Sequence, residues 1–216
     1  MRSFTPYMDV PAFFTSFRDG SMVVTDHRFE GTLPVTGDRW SPFGEATSAG
    51  TVREARAPAV VVDCESLRRR TFTEGVLKGM RVRGADIWFM THIEFVEDLF
   101  DAFNTSAEMV LAPYHTTASD AELEDMHSVS DCLIHVVYVV RGRCVTRRGG
   151  TDRVTRVLED LSDLGFYRTC VLDTDDSLPL HEWELVREDY PSAVPFTGSG
   201  RTDALGFPTR VVPFRV

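Results

Sequence analysis

Lysine is almost missing from this chain: Lys78 is the only one among 23 basic residues, so 22 are arginines. Schiff-base chemistry could therefore use only Lys78, and its surroundings, Val76-Leu77-Lys78-Gly79, read as a helix surface. GC-rich coding accounts for the arginine bias, which also leaves many planar forks suited to phosphate or carboxylate. Cysteine is scarce as well. Cys64, Cys132, Cys144 and Cys170 show no paired C-x-x-C spacing, and each lies in or beside an apolar run. They read as free thiols of a reducing, cytoplasmic setting. No segment approaches the roughly 18 continuous apolar residues of a membrane span, and Met1–Pro6 carries no apolar stretch of signal type. Positive charge is outweighed, at a net charge of −10, which argues against nucleic acid and anionic membranes as partners. A Walker loop, a G-x-S-x-G elbow and a dinucleotide G-x-G-x-x-G are all absent. So are H-x-H and H-E-x-x-H spacings, and neither a metal nor a cofactor is expected.

What is present is alternation. Short apolar runs occur at Ala59–Asp63, Asp86–Thr91, Met109–Pro113, Leu133–Val140, Thr169–Asp173, Ala193–Thr197 and Arg210–Phe214, with one more near Ala12–Ser16. They are too short for typical helices and read as strands buried on both faces. Between them lie helical patterns at Glu94–Phe103, Ser119–His127, Asp152–Leu164 and Leu180–Asp189. Ser119 followed by Glu122 is a capping-box arrangement, and Gly165 ends the third pattern. Strand-helix alternation implies parallel pairing, either in an open doubly wound sheet or in a closed barrel. The segment 32–50, with Pro34, Gly37, Pro42, Gly44 and Gly50, reads as a long loop near a strand end.

The two halves echo each other. Arg18-Asp19-Gly20-Ser21-Met22-Val23 resembles Val140-Arg141-Gly142-Arg143-Cys144-Val145, and Val61-Val62-Asp63-Cys64-Glu65 resembles Val171-Leu172-Asp173-Thr174-Asp175. Phe89-Met90-Thr91-His92 resembles Pro195-Phe196-Thr197-Gly198, and Leu111-Ala112-Pro113-Tyr114 resembles Val211-Val212-Pro213-Phe214 more loosely. The order is the same in both halves, which favours a barrel of two four-strand halves.

This two-half pattern resembles the HisA/HisF-like isomerase and cyclase barrels of histidine biosynthesis. The resemblance rests mainly on Gly142-Arg143-Cys144-Val145, the helix 151–165, Val171–Asp175 and Val194–Gly200, and in the first half on Pro11-Ala12, Asp19-Gly20 and Asp63-Cys64-Glu65. It implies one α/β domain over residues 1–216, a (βα)₈ TIM-type barrel built from two repeated half-barrels, lacking the last helix because the chain stops at Val216. The apolar flank so left could be covered by a second copy in a homodimer. The resemblance also implies a site at the C-terminal strand ends and phosphate-binding turns. The family's two catalytic aspartates are absent: counting back four residues from Gly20 gives Ser16, and from Gly142 gives Tyr138.

Asp63, His92, Asp173 and His115 stand at inferred strand ends and are the candidates for proton transfer. Capping and loop hydrogen bonding is the competing role for the two aspartates. Gly198-Ser199-Gly200 is the candidate phosphate turn. The expected ligand is a small phosphorylated, sugar-like metabolite, and the expected chemistry an isomerisation or related acid–base step other than the standard histidine-pathway reaction. The alternatives are a non-catalytic binding or regulatory relative, and a lyase or condensing enzyme on the same scaffold.

Overall fold

A computed structural model describes residues 8–50, 58–72, 86–105 and 107–216. Its centre is a closed barrel of eight parallel strands: β1 (Met8–Arg18), β4 (Ala59–Asp63), β5 (Ile87–Met90), β6 (Met109–Pro113), β7 (Leu133–Val140), β10 (Thr169–Asp173), β11 (Val194–Thr197) and β12 (Thr209–Pro213). Neighbours pair in that order. β12 returns to β1 (Val10 opposite Val211), and β7 pairs with β10 (Val137 opposite Val171). These are the eight apolar runs, and their burial on both faces explains why they read as continuous rather than alternating.

Each strand divides its side chains between two cores. Val10, Ala12, Phe14, Val60, Val62, Trp88, Met90, Leu111, Val136, Tyr138, Cys170, Leu172, Val194 and Phe196 fill the lumen. Phe13, Val61, Phe89, Val110, Val137 and Val171 face outward to the helices. At the N-terminal end of the lumen the Arg168 guanidinium lies 4.6 Å from the centre of the Trp88 ring.

The expectation of a regular (βα)₈ barrel of two repeated halves is overturned. Among the described residues four further strands lie outside the ring: β2 (Ser21–Glu30), β3 (Leu33–Pro42), β8 (Arg143–Val145) and β9 (Thr151–Asp152). Among the described residues the helices are few and uneven: α1 (Phe43–Gly50), α2 (Cys64–Arg69), α3 (Val96–Phe103), α4 (Asp120–Val129), α5 (Val154–Asp163) and α6 (Leu180–Asp189). Only a 3₁₀ segment, Gly200–Leu205, joins β11 to β12. The repeated Asp-Gly and Arg-Gly signals mark two tight hairpin turns with the same left-handed geometry, φ +51° and +76° at Asp19-Gly20 and +52° and +73° at Arg141-Gly142. The hairpins they open differ: ten residues in β2, three in β8. The expected loop 32–50 is instead β3 and α1. Among the described residues no helix is long and apolar enough to cross a membrane.

Candidate functional site

The C-terminal mouth of the barrel has a roof. β2 (Ser21–Glu30) pairs antiparallel with the end of β1 (Thr15 opposite Val24), and beyond that its pairing with β3 shifts register between Thr25 and His27. Beyond the break His27 stacks on Phe14, with ring planes 7° apart. Phe29 meets Phe14 at 5.9 Å and Tyr138 at 5.8 Å, both edge-on. Phe14 belongs to β1 and Tyr138 to β7, so this strand spans the mouth. Burial pushes the His27 imidazole down to about 4, so it is uncharged at neutral pH.

The two aspartates turn away from this chamber. Asp63 shares the outward parity of Ala59 and Val61, and its side chain caps α2, accepting from Ser66 N at 3.1 Å and from Ser66 Oγ at 2.5 Å. Asp173 accepts from Ser177 N at 2.9 Å and Leu178 N at 3.0 Å. All four carboxylate oxygens thus hold local structure in place. Burial raises both carboxyls above the ordinary value, against the lowering effect of those hydrogen bonds. No hydrogen bond or ion pair among the described residues ties either one to His92 or His115.

The histidines do converge. His92 follows β5 and is 3% exposed, while His115 follows β6 and meets the Tyr138 ring at 4.8 Å. Burial lowers both, His115 to about 4, and each is pushed further down by the charge of Arg70, which therefore lies within electrostatic reach of the two rings. Both nitrogens of His92, Nδ1 of His115 and Oη of Tyr138 are buried and have no hydrogen-bond partner among the described residues. Burial holds the Tyr138 phenol well above its ordinary value, so it remains a proton donor. Orphaned polar atoms are rare in folded interiors, and those gathered around one mouth are candidates for a ligand's contacts.

Arg70 escaped the sequence reading. It is the C-cap of α2, in the left-handed conformation at φ +54°, and its N–H donates to Ser66 O. An arginine held in that strained region is a residue worth examining for function. Arg70 and His92 line one cleft of about 360 Å³ with Thr71, Phe72, Phe95 and three acids, Glu94, Asp98 and Asp101. Asp98 Oδ2 is tied to Glu94 N and Phe95 N at 2.9 and 3.0 Å, whereas Glu94 Oε2 lies 3.6 Å from His92 Nε2.

No protein-family model matches this chain, and no curated protein does.

The turn Gly198-Ser199-Gly200 follows β11, but a carboxylate already sits against it. Ser199 Oγ donates to Asp176 Oδ1 at 3.1 Å, and a Cβ on Gly198 would meet Asp176 Oδ2 at 3.2 Å. Arg215 donates to Gly198 O at 3.0 Å. An external anion there would have to displace the Asp176 carboxylate. Ser16 and Tyr138, at the counted-back positions, are both buried, and only the phenol could take part in proton transfer. The sequence signal that could have found the cleft is the spacing His92-x-Glu94, which alone is too common to carry weight.

Proposed function

We propose that this chain is a HisA-like barrel that binds a small phosphorylated, sugar-like metabolite at the roofed C-terminal mouth, with the phosphate on Arg70. The observation that carries the reading is one cleft shared by Arg70 and His92: among the described residues the guanidinium has no salt bridge, and the buried imidazole has only the loose 3.6 Å approach of Glu94 at Nε2 and no partner at Nδ1. A guanidinium gives a planar fork to phosphate, and neutral imidazoles offer one donor and one acceptor each to sugar hydroxyls. The free thiols of Cys64, Cys132, Cys144 and Cys170 suit a reducing cytoplasm.

Isothermal titration with inorganic phosphate and ribose 5-phosphate, against ribose, tests it. Arg70→Gly is the informative variant, because glycine relieves the left-handed strain while removing the charge. The expected result is saturable binding of the phosphorylated ligands, weakened at least about tenfold in Arg70→Gly at unchanged or higher stability, since a hydrogen bond to a charged group contributes about 1.5–3 kcal/mol. Equal binding by both proteins, or none by either, overturns the proposal.

A second reading, a non-catalytic binding module, is favoured by the aromatic roof and by the capping duties of Asp63 and Asp173. It shares the ligand and differs only in lacking turnover.

A further inference from the structure

We propose that Glu94 and His92 form an acid–base dyad, with Glu94 as the positioning residue and His92 Nδ1 as the proton acceptor that replaces the missing aspartates. The dyad rests on the phosphate-binding mouth proposed for Arg70 and adds a reaction to it.

Three observations converge. The carboxylate of Glu94 is 3.6 Å from Nε2 of a histidine that is otherwise 3% exposed. That distance is loose for a hydrogen bond, as is common at sites without their ligand. Nδ1 of the same ring is buried and has no hydrogen-bond partner among the described residues. The nearby alternative acid, Asp98, is already held by two backbone N–H groups through the oxygen it turns toward residues 94 and 95. A carboxylate beside Nε2 keeps the hydrogen on that nitrogen, which leaves the lone pair on Nδ1.

The charged groups around the ring are balanced. Burial has the largest effect and keeps the imidazole neutral; Asp98 and Glu94 favour the imidazolium; Arg70, from α2, opposes it. His115, from the end of β6, is uncharged at neutral pH and adds no standing charge. A neutral base beside a carboxylate can accept a proton and have the resulting cation stabilised, which is the function a histidine-carboxylate pair serves in other enzymes.

The step needs no co-reactant. Nδ1 takes the proton from the carbon bearing a hydroxyl next to a carbonyl, and the C–H electron pair becomes the C=C bond of an enediolate. The oxygen that gains charge is met by a neutral N–H donor, the role that falls to His115. The hydroxyl proton of the enediolate passes to the charged oxygen beside it; the imidazolium then returns its proton to the former carbonyl carbon, the C=C electron pair makes that C–H bond, and the oxygen left with the charge becomes the carbonyl one position along. Nothing is oxidised or reduced overall, so the substrate class is a phosphorylated α-hydroxy carbonyl compound and the reaction an isomerisation.

Long-range ¹⁵N–¹H spectra of the full chain test this without turnover. The wild type is expected to show His92 with Nε2 protonated and Nδ1 bare. Glu94→Gln, whose amide oxygen still accepts a hydrogen bond, should keep that tautomer but lower the proton affinity of His92 about tenfold, because the carboxylate charge is gone. Glu94→Ala should give a mixture of tautomers. A wild-type His92 protonated at Nδ1, or a titration unmoved by Glu94→Gln, overturns the dyad. Adding inorganic phosphate to the same samples separates the two proposals: His92 and His115 resonances that shift with phosphate in all three proteins uphold the anion site whatever the tautomer shows, and resonances that ignore phosphate overturn the anion site instead.

Discussion

Asp63 and Asp173 illustrate how a carboxylate at a strand end can be structural and still look catalytic. Each ends a fully buried run, and each is succeeded by a second acid two residues on, Glu65 and Asp175. That pattern fits an acid–base pair as well as it fits a cap. The difference lies in parity. Both aspartates continue the outward face of their strands, so their oxygens reach backbone N–H groups in the next turn of chain rather than the lumen. Replacing Asp63 by alanine removes the cap of α2 and the partner of Ser66 Oγ, and replacing Asp173 strands the N–H of Leu178, itself 1% exposed. Each substitution should cost about 1–3 kcal/mol in urea unfolding and leave phosphate affinity within about twofold, since neither side chain lines the Arg70 cleft. A large loss of affinity at unchanged stability would return these aspartates to the active chemistry.

At the scale of elements, the barrel was legible and its roof was not. The eight runs stand out because a strand covered on both faces needs apolar residues at nearly every position, as in Val60-Val61-Val62 or Ile134–Val140. Ser119 was legible as a cap for a different reason: its hydroxyl accepts from Glu122 N at 3.1 Å, a local bond that the spacing encodes. β3 was hidden by Pro34, Gly37 and Pro42, which read as loop residues. Among the strands β3 pairs with β2 only, and an edge strand tolerates prolines that a central one does not. His27 and Phe29 were invisible as roof residues because a register break, not a pattern, places them over the mouth. Arg70 was hidden by a backbone conformation that no composition rule assigns to arginine. The roof makes its own prediction. Phe29→Ala gives up three edge-on ring contacts, with Phe14, His27 and Tyr138, of a half-buried side chain, and should lower thermal stability by about 1–2 kcal/mol. Amide exchange should quicken in β2 and β3 while the barrel strands keep their protection; a uniform rise over all twelve strands would mean that the roof is part of one cooperative unit.

The molecule as a whole carries a liability toward acid that stems from where its histidines sit. His135 is fully buried between the barrel and the helices, with its ring edge-on to Phe166 at 4.4 Å, and burial lowers it to about 3. His27 and His115 are lowered to about 4 by the same cause. In the unfolded chain all three titrate near the ordinary value of 6.5. As pH falls through that value the unfolded state binds protons that the fold refuses, so stability is fully present above about pH 7.5 and declines below it, with each group contributing up to about 1.4 kcal/mol per pH unit until its folded value is reached. Asp63, Asp173 and Asp9 act in the opposite direction: burial raises them, the fold takes up their protons before the unfolded chain does, and they return some stability as pH drops toward 3.8. The histidines therefore govern the loss that begins near 6.5, and the aspartates blunt it where their own protons are taken up. His135→Phe isolates one of the three. It keeps an aromatic ring against Phe166 but cannot be protonated, so urea unfolding measured at about pH 7.5, 6 and 5 should fall less steeply than in the wild type by up to about 1.4 kcal/mol per pH unit. Parallel curves for the two proteins would mean that His135 gains no proton on unfolding, and that the acid response of the barrel comes from the roof and the mouth alone.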